Sequence, residues 1–337
     1  MKYRFLILNF QFLILLLAGC TSGGAVLPDS PPDEVPDTEE GVTLTFDMYS
    51  ATVTRGETTS AEDMTIGKLF RIYAYSAGET SLGTPLDSRN YTVQPDETDA
   101  AKPGKATGNL TLYRGTYDLY LVSYNSSTEV PTLNSDGSFT VNNGKDFMYT
   151  KLEGIVVQPD RTGSNAMLVS LPRPFTRMGS QVITTVKAKN GTQPVAVSKL
   201  TANWIKISGL AEALNYKLGN VAWEGNTNYT SSYTFERFTW GGTSTSTWTS
   251  EAQVLLPVDG SQMLNFEVNL TVDYDNDSQH YTGSYPASIQ KVLLPGMTYQ
   301  FDFTLTFYGV LSPSDLTLAI REYNTVDLSS DGLGGND

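Results

Sequence analysis

The sequence predicts an all-β protein built as β-sandwiches. Short stretches alternate apolar and polar residues with period two, at intervals of roughly ten residues. Clusters of Gly, Pro, Asn and Asp stand between them, the residues that tight turns require. No apolar period of about 3.6 persists long enough for a substantial helix, which argues against a parallel α/β architecture. Composition agrees, since Tyr, Thr, Ser, Val and Gly, the residues of strands and turns, are abundant. A chain of 337 residues is long enough for about two such domains.

Residues 1–20 stand apart from this pattern. Met1-Lys2-Tyr3-Arg4 is a basic start, and Phe5 to Leu17 is apolar except for Asn9 and Gln11. The run is shorter than the about 20 residues that a bilayer span takes, and small residues follow it, as in a secretory signal peptide. It ends in Leu16-Leu17-Ala18-Gly19-Cys20, the layout of a bacterial lipoprotein signal. Cys20 is the single cysteine of the chain, so no disulfide forms within it. It is expected to carry the lipid, palmitate included, and two acyl chains would hold the protein on a membrane. The alternative is an ordinary signal peptide with an incidental cysteine. Residues 21–41 read as an extended linker. Pro28, Pro31, Pro32 and Pro36 alternate with Asp29, Asp33, Glu34, Asp37, Glu39 and Glu40.

The first sandwich is expected over residues 42–175. Its first strand alternates from Val42 through Leu44, Phe46 and Met48 towards Val53, and reads as edge-like with those four side chains inward. Thr54 to Ser60, with Arg55 and Gly56, is a polar loop. Ile66 to Tyr75 is the next strand. Residues 77–107 offer only Tyr91-Thr92-Val93. Leu110 to Tyr124 reads as a hairpin-like pair around Arg114-Gly115. Ser138 to Val141 and Phe147 to Val157 are strands divided by the turn Asn142-Asn143-Gly144. After Met167 to Leu171, Pro172-Arg173-Pro174 interrupts, because prolines do not sit in a central strand.

The second sandwich is expected over residues 176–337. Leu200 to Ile207 alternates with Leu200, Ala202 and Trp204 on one face, and Leu210 to Tyr216 reads as a helical turn. Residues 219–250 read as a long loop with short strands. Gln253 to Pro257, Leu264 to Tyr274 and Gln279 to Tyr285 are strands. A turn at Leu293 to Met297 precedes Thr298 to Tyr308, whose Tyr299, Phe301, Phe303, Leu305 and Phe307 point inward. Asp315 to Arg321 is the last strand, before a polar, Gly-rich end.

Catalytic chemistry finds little support. His280 is the single histidine, and with one cysteine it makes no zinc site of the usual kinds. No Gly-x-Ser-x-Gly stretch accompanies it. Asp273-Tyr274-Asp275-Asn276-Asp277 opens like a calcium loop, but Ser278 and Ser284 stand where the glycine and the last acidic ligand belong. No metal, cofactor or catalytic residue is expected. Trp204, Trp223, Trp240 and Trp248 offer rings that could stack on sugars. Lys+Arg number 22 against 36 Asp+Glu, a net charge of −14, which excludes general electrostatic binding of nucleic acid.

The order of these pieces resembles the fimbrillin family of Bacteroidales type V pili. The lipoprotein signal, acidic linker and first strand are followed by Thr54-Arg55-Gly56 and the Phe70-Arg71-Ile72-Tyr73-Ala74-Tyr75 strand. Leu171-Pro172-Arg173-Pro174-Phe175-Thr176-Arg177 stands in mid-chain, and Leu294-Pro295-Gly296-Met297-Thr298-Tyr299-Gln300-Phe301 near the end. The resemblance implies two tandem transthyretin-like β-sandwiches and a structural or tip subunit, not an enzyme. It also implies a route: transport to the outer membrane as a lipoprotein, then cleavage after Arg55 by a trypsin-like protease. The first strand, Val42, Leu44, Phe46 and Met48, would be expelled, and the C-terminal strand of a neighbouring subunit would replace it. Expected partners are other pilus subunits, that protease, the outer membrane through the lipid, and a host or bacterial surface ligand. The alternatives are an uncleaved pilus anchor and a carbohydrate-binding surface lipoprotein.

Overall fold

The computed structural model describes residues 41–47, 64–158, 165–171, 175–190, 196–220, 222–225, 228–240, 247–275, 278–307 and 315–324. Cys20, Met48, Arg55, Gly56 and the linker lie outside them. Among the described residues all regular structure is strand, as the sequence predicts.

The first ten strands are β1 (Val42–Asp47), β2 (Leu69–Ser76), β3 (Asp87–Pro95), β4 (Pro103–Thr107), β5 (Thr111–Leu112), β6 (Gly115–Ser123), β7 (Ser138–Asn142), β8 (Met148–Val157), β9 (Ala166–Ser170) and β10 (Thr176–Arg177). All but β7 join one sheet in the order β10-β8-β6-β2-β3-β4-β1-β5, with β9 added to β1. Strands as distant in that order as β1 and β8 contribute to a single core, which includes Val42, Phe46, Phe70, Leu119, Leu152 and Phe175. The sheet therefore folds over its own inner face.

The remaining strands are β11 (Ser180–Asn190), β12 (Val197–Leu210), β13 (Ala213–Lys217), β14 (Ala222–Glu224), β15 (Ser231–Phe235), β16 (Phe238–Trp240), β17 (Thr247–Ser250), β18 (Gln253–Leu255), β19 (Met263–Tyr274), β20 (His280–Gln290), β21 (Met297–Phe307) and β22 (Asp315–Asn324). One sheet runs β16-β17-β11-β21-β22 with β18 on β11, and a second runs β15-β12-β19-β20. They enclose a second core that includes Val182, Ile205, Phe266, Phe301 and Phe303. Tyr299, Phe301, Phe303, Leu305 and Phe307 of β21 are all buried, as their alternation requires. The turn before them closes with Met297 N–H donating to the Leu294 carbonyl at 3.3 Å. Pro295 pre-sets the bend, and Gly296 at φ +71° takes the left-handed position that a type II turn needs.

A third core lies where the sheets change. Tyr73, Tyr75, Tyr120, Phe139, Phe147 and Tyr149 meet Met178, Ala211, Tyr216, Leu218 and Leu256 in it. Here β7 pairs with β13 in a small sheet, β14-β13-β7. Arg177 forks onto Asp146 at 2.6 and 2.8 Å, and Asn143 accepts from Leu256 N–H at 2.9 Å.

Several expectations are corrected. Leu210 to Tyr216 is no helical turn, because β13 finds a ladder with β7, far away in sequence. Leu110 to Tyr124 is no hairpin, since β5 pairs with β1 while β6 pairs with β2 and β8. Trp204 does not share the core face of Leu200 and Ala202. A bulge between Ala202 and Trp204 shifts the register by one residue, so Ile205 and Ile207 continue that face. Residues 77–107 hold β3 and β4, where only Tyr91, Val93 and Ala106 are buried among largely polar neighbours, which leaves almost no apolar period to read.

Candidate functional site

β1 is the candidate. The sequence reads it as edge-like, but it is an interior strand. Along one edge it pairs antiparallel with β5 (Val42 opposite Leu112) and then β4 (Phe46 opposite Ala106). Along the other it runs parallel to β9, from Thr43 opposite Ala166 to Asp47 opposite Ser170. Its inward side chains Val42, Leu44 and Phe46 are wholly buried, while Thr43, Thr45 and Asp47 face outward and are half-buried. Val42, Leu44 and Phe46 thus belong to the first core, and Met48 lies outside the described residues.

The surroundings of β1 are aromatic at its Phe46 end. The Phe46 ring stands edge-on to Tyr91 (centroids 5.2 Å apart, 90°) and to Phe70 (6.4 Å, 89°). Tyr91 and Phe70 stack at 5.5 Å, and Phe175 closes on Phe70 at 5.7 Å. The Tyr91 hydroxyl donates to the Leu44 carbonyl at 2.8 Å and accepts from Leu110 N–H at 3.2 Å. Burial pushes that phenol up to about 12. Tyr91 thus holds β1 by its main chain. Sequence reasoning placed Tyr91 on a strand but gave it no role, since nothing local marks which hydroxyl meets a distant carbonyl.

β1 joins strands that differ in how they are otherwise paired. β10-β8-β6-β2-β3-β4 are paired with one another independently of β1, whereas among the described residues β5 and β9 pair with β1 alone.

The profile of the fimbrillin-like family matches residues 54–319. The chain belongs to the fimbrillin-like family. Fimbrillin-like chains are structural subunits of pili rather than enzymes, so other pilus subunits are its partners and the cell-surface fimbrium its place. No curated protein matches the sequence. Among solved structures, a protein of Bacteroides fragilis assigned to cell adhesion is similar at 18% identity, covering 86% of this chain and 99% of its own, with a TM-score of 0.58. That likeness shows the fold. A Bacteroides uniformis protein with the same assignment covers 88% of this chain and 99% of its own at 17% identity (TM-score 0.48). The tip fimbrial protein Mfa3 of Porphyromonas gingivalis, truncated at its C-terminus, covers 84% and 99% at 8% identity (TM-score 0.41).

The other end of this fimbrillin-like chain offers the second element of interest. β22 is the outer strand of its sheet and pairs antiparallel with β21 over its whole length. Leu318 and Ile320 reach the core only in part. Arg321 forks onto Asp302 of β21 at 2.7 and 3.0 Å, and Lys291 pairs with Glu322.

Two of the tryptophans and His280 have defined partners. Trp223 Nε1 donates to the Met178 carbonyl and its ring packs on Tyr216 and Phe147. Trp248 Nε1 donates to the Leu200 carbonyl, with its ring against the second core. His280 Nδ1 lies 2.6 Å from Asp273 Oδ1 across β19 and β20 on an exposed face. Among the described residues no group of His, Cys, Asp and Glu could hold a metal ion.

Proposed function

We propose that this chain is a type V pilus subunit, structural or at the tip, that assembles by exchanging its first strand and contributes to adhesion. It is exported as a lipoprotein through Cys20 and cut after Arg55 once it reaches the outer membrane. β1 then leaves, and a strand from a neighbouring subunit takes its place. β22, with the residues after it, is the strand it offers in turn.

The observation that carries this reading is the position of β1: interior, with Val42, Leu44 and Phe46 wholly buried, and set beside β4, which stays paired with β3 whether or not β1 is present. A replacement strand recovers the ladder hydrogen bonds and fills the same side-chain sites, which is β-augmentation from within a sheet. Each of the three buried side chains contributes about 1.5–3 kcal/mol. Departure and replacement are therefore nearly balanced, and a covalent cut gives the exchange its direction.

Mass spectrometry of the mature N-terminus tests it. The expected chain begins at Gly56, and Arg55→Ala abolishes both that product and any polymer ladder. A chain beginning at lipidated Cys20 overturns the reading in favour of an anchor that keeps its strand, or of a carbohydrate-binding surface lipoprotein.

A further inference from the structure

The pocket around Phe46 restricts what can replace β1. We infer that the groove is built for an extended segment of a different protein, one bearing an aromatic ring at the place of Phe46, and not for the terminal strand of a second copy of this chain. The inference rests on the strand-exchange reading above.

The three sites in the groove are unequal. Those of Val42 and Leu44 accept aliphatic side chains. That of Phe46 is walled by Tyr91 and Phe70, both edge-on to the ring it holds. A branched aliphatic side chain there forfeits both ring contacts and leaves space that the packed walls do not close. Tyr91 adds no selectivity of its own, because its hydroxyl asks for a main-chain carbonyl, which any strand supplies. Discrimination falls to the ring.

The chain's own C-terminal residues do not meet this demand in any register. Laid along β1 in the same direction, Leu316, Leu318 and Ile320 take the places of Val42, Leu44 and Phe46. Reversed, Leu316 takes the place of Phe46. Tyr323 is the single aromatic residue in 315–337. Setting it at the place of Phe46 brings Arg321 to the place of Leu44 in one direction. In the other it brings Thr325 and Asp327 to the places of Leu44 and Val42. Both inner places are wholly buried in β1 and offer a polar side chain no compensation. The subunit is thus an unfavourable receptor for itself and is suited to follow a different subunit in the fibre.

The test is peptide binding to the chain cleaved after Arg55. Three labelled peptides are compared: residues 41–47, residues 315–324, and residues 315–324 with Ile320→Phe. The expected result is that the 41–47 peptide and the Ile320→Phe peptide bind roughly tenfold or more tightly than the native 315–324 peptide. Equal binding by the two 315–324 peptides overturns the inference and leaves strand exchange standing, as does equal failure while 41–47 binds. If none of the three binds, the 41–47 peptide included, the strand-exchange reading falls and this inference with it.

Discussion

Two buried tyrosines show how differently one hydroxyl can act. Tyr91 satisfies both a carbonyl and an N–H inside the first core. Tyr91→Phe leaves both backbone groups without that partner, so we expect a loss of about 1–3 kcal/mol, read from the urea midpoint. Tyr216 is equally buried, yet among the described residues its hydroxyl finds no hydrogen-bond partner. Its ring packs on Phe147, Tyr149 and Trp223, at centroid distances of 5.1 to 5.4 Å. Tyr216→Phe keeps those contacts and removes an unsatisfied polar atom, so its midpoint is expected to stay level or rise. A clear fall on Tyr216→Phe would show that the hydroxyl has a partner.

At the scale of elements, the chain carries two strands of opposite character. β1 is short, interior and held by side chains that are wholly buried. β22 is longer and lies at a sheet edge, with Leu318 and Ile320 half-buried against the core. It therefore relies more on its ladder and on the Arg321–Asp302 fork. Arg321 is about half exposed, at 47% for its side chain, so the fork is worth about 1 kcal/mol or less. Asp302→Asn is accordingly expected to speed amide hydrogen exchange in β22 up to roughly fivefold while leaving β11 unchanged. Equal acceleration in both strands would mean that β22 does not open independently of its sheet.

At the scale of the whole molecule, tyrosine burial sets the alkaline limit of stability. Burial pushes Tyr91 and Tyr124 up to about 12, and it also raises Tyr75, Tyr149 and Tyr216. In the unfolded chain these phenols titrate near 10. Between pH 10 and 12 the unfolded state has therefore lost protons that the folded state retains, and stability falls as pH rises. Below pH 10 their contribution is fully present. Thermal midpoints measured from pH 9 to 12 are expected to hold at first and then fall steeply. A midpoint that stays flat through pH 11.5 would contradict the burial of these hydroxyls. Three of these tyrosines, Tyr75, Tyr149 and Tyr216, lie in the third core, where β7 and β13 join the two halves.

Much was legible in the sequence because its signals are local. Alternation alone placed Val42, Leu44 and Phe46 inward on β1 and the aromatic row inward on β21, since a strand's side chains change face at every residue. Pro295-Gly296 announced its turn through backbone geometry that these two residues favour. The all-β class followed from the same periodicity repeated along the chain. What only the tertiary structure decided are the pairings between distant segments. β1 proved interior because β9 arrives beside it from more than a hundred residues away in the sequence, and no local pattern encodes the choice of neighbour. Residues 210–216 became a strand through β7, and the bulge at Ala202/Trp204 moved a tryptophan off its predicted face. The aromatic pocket around Phe46 has the same origin. Phe70 and Tyr91 are unremarkable in their own segments, and they become a wall only where long-range packing sets both rings against Phe46, with Phe175 behind Phe70.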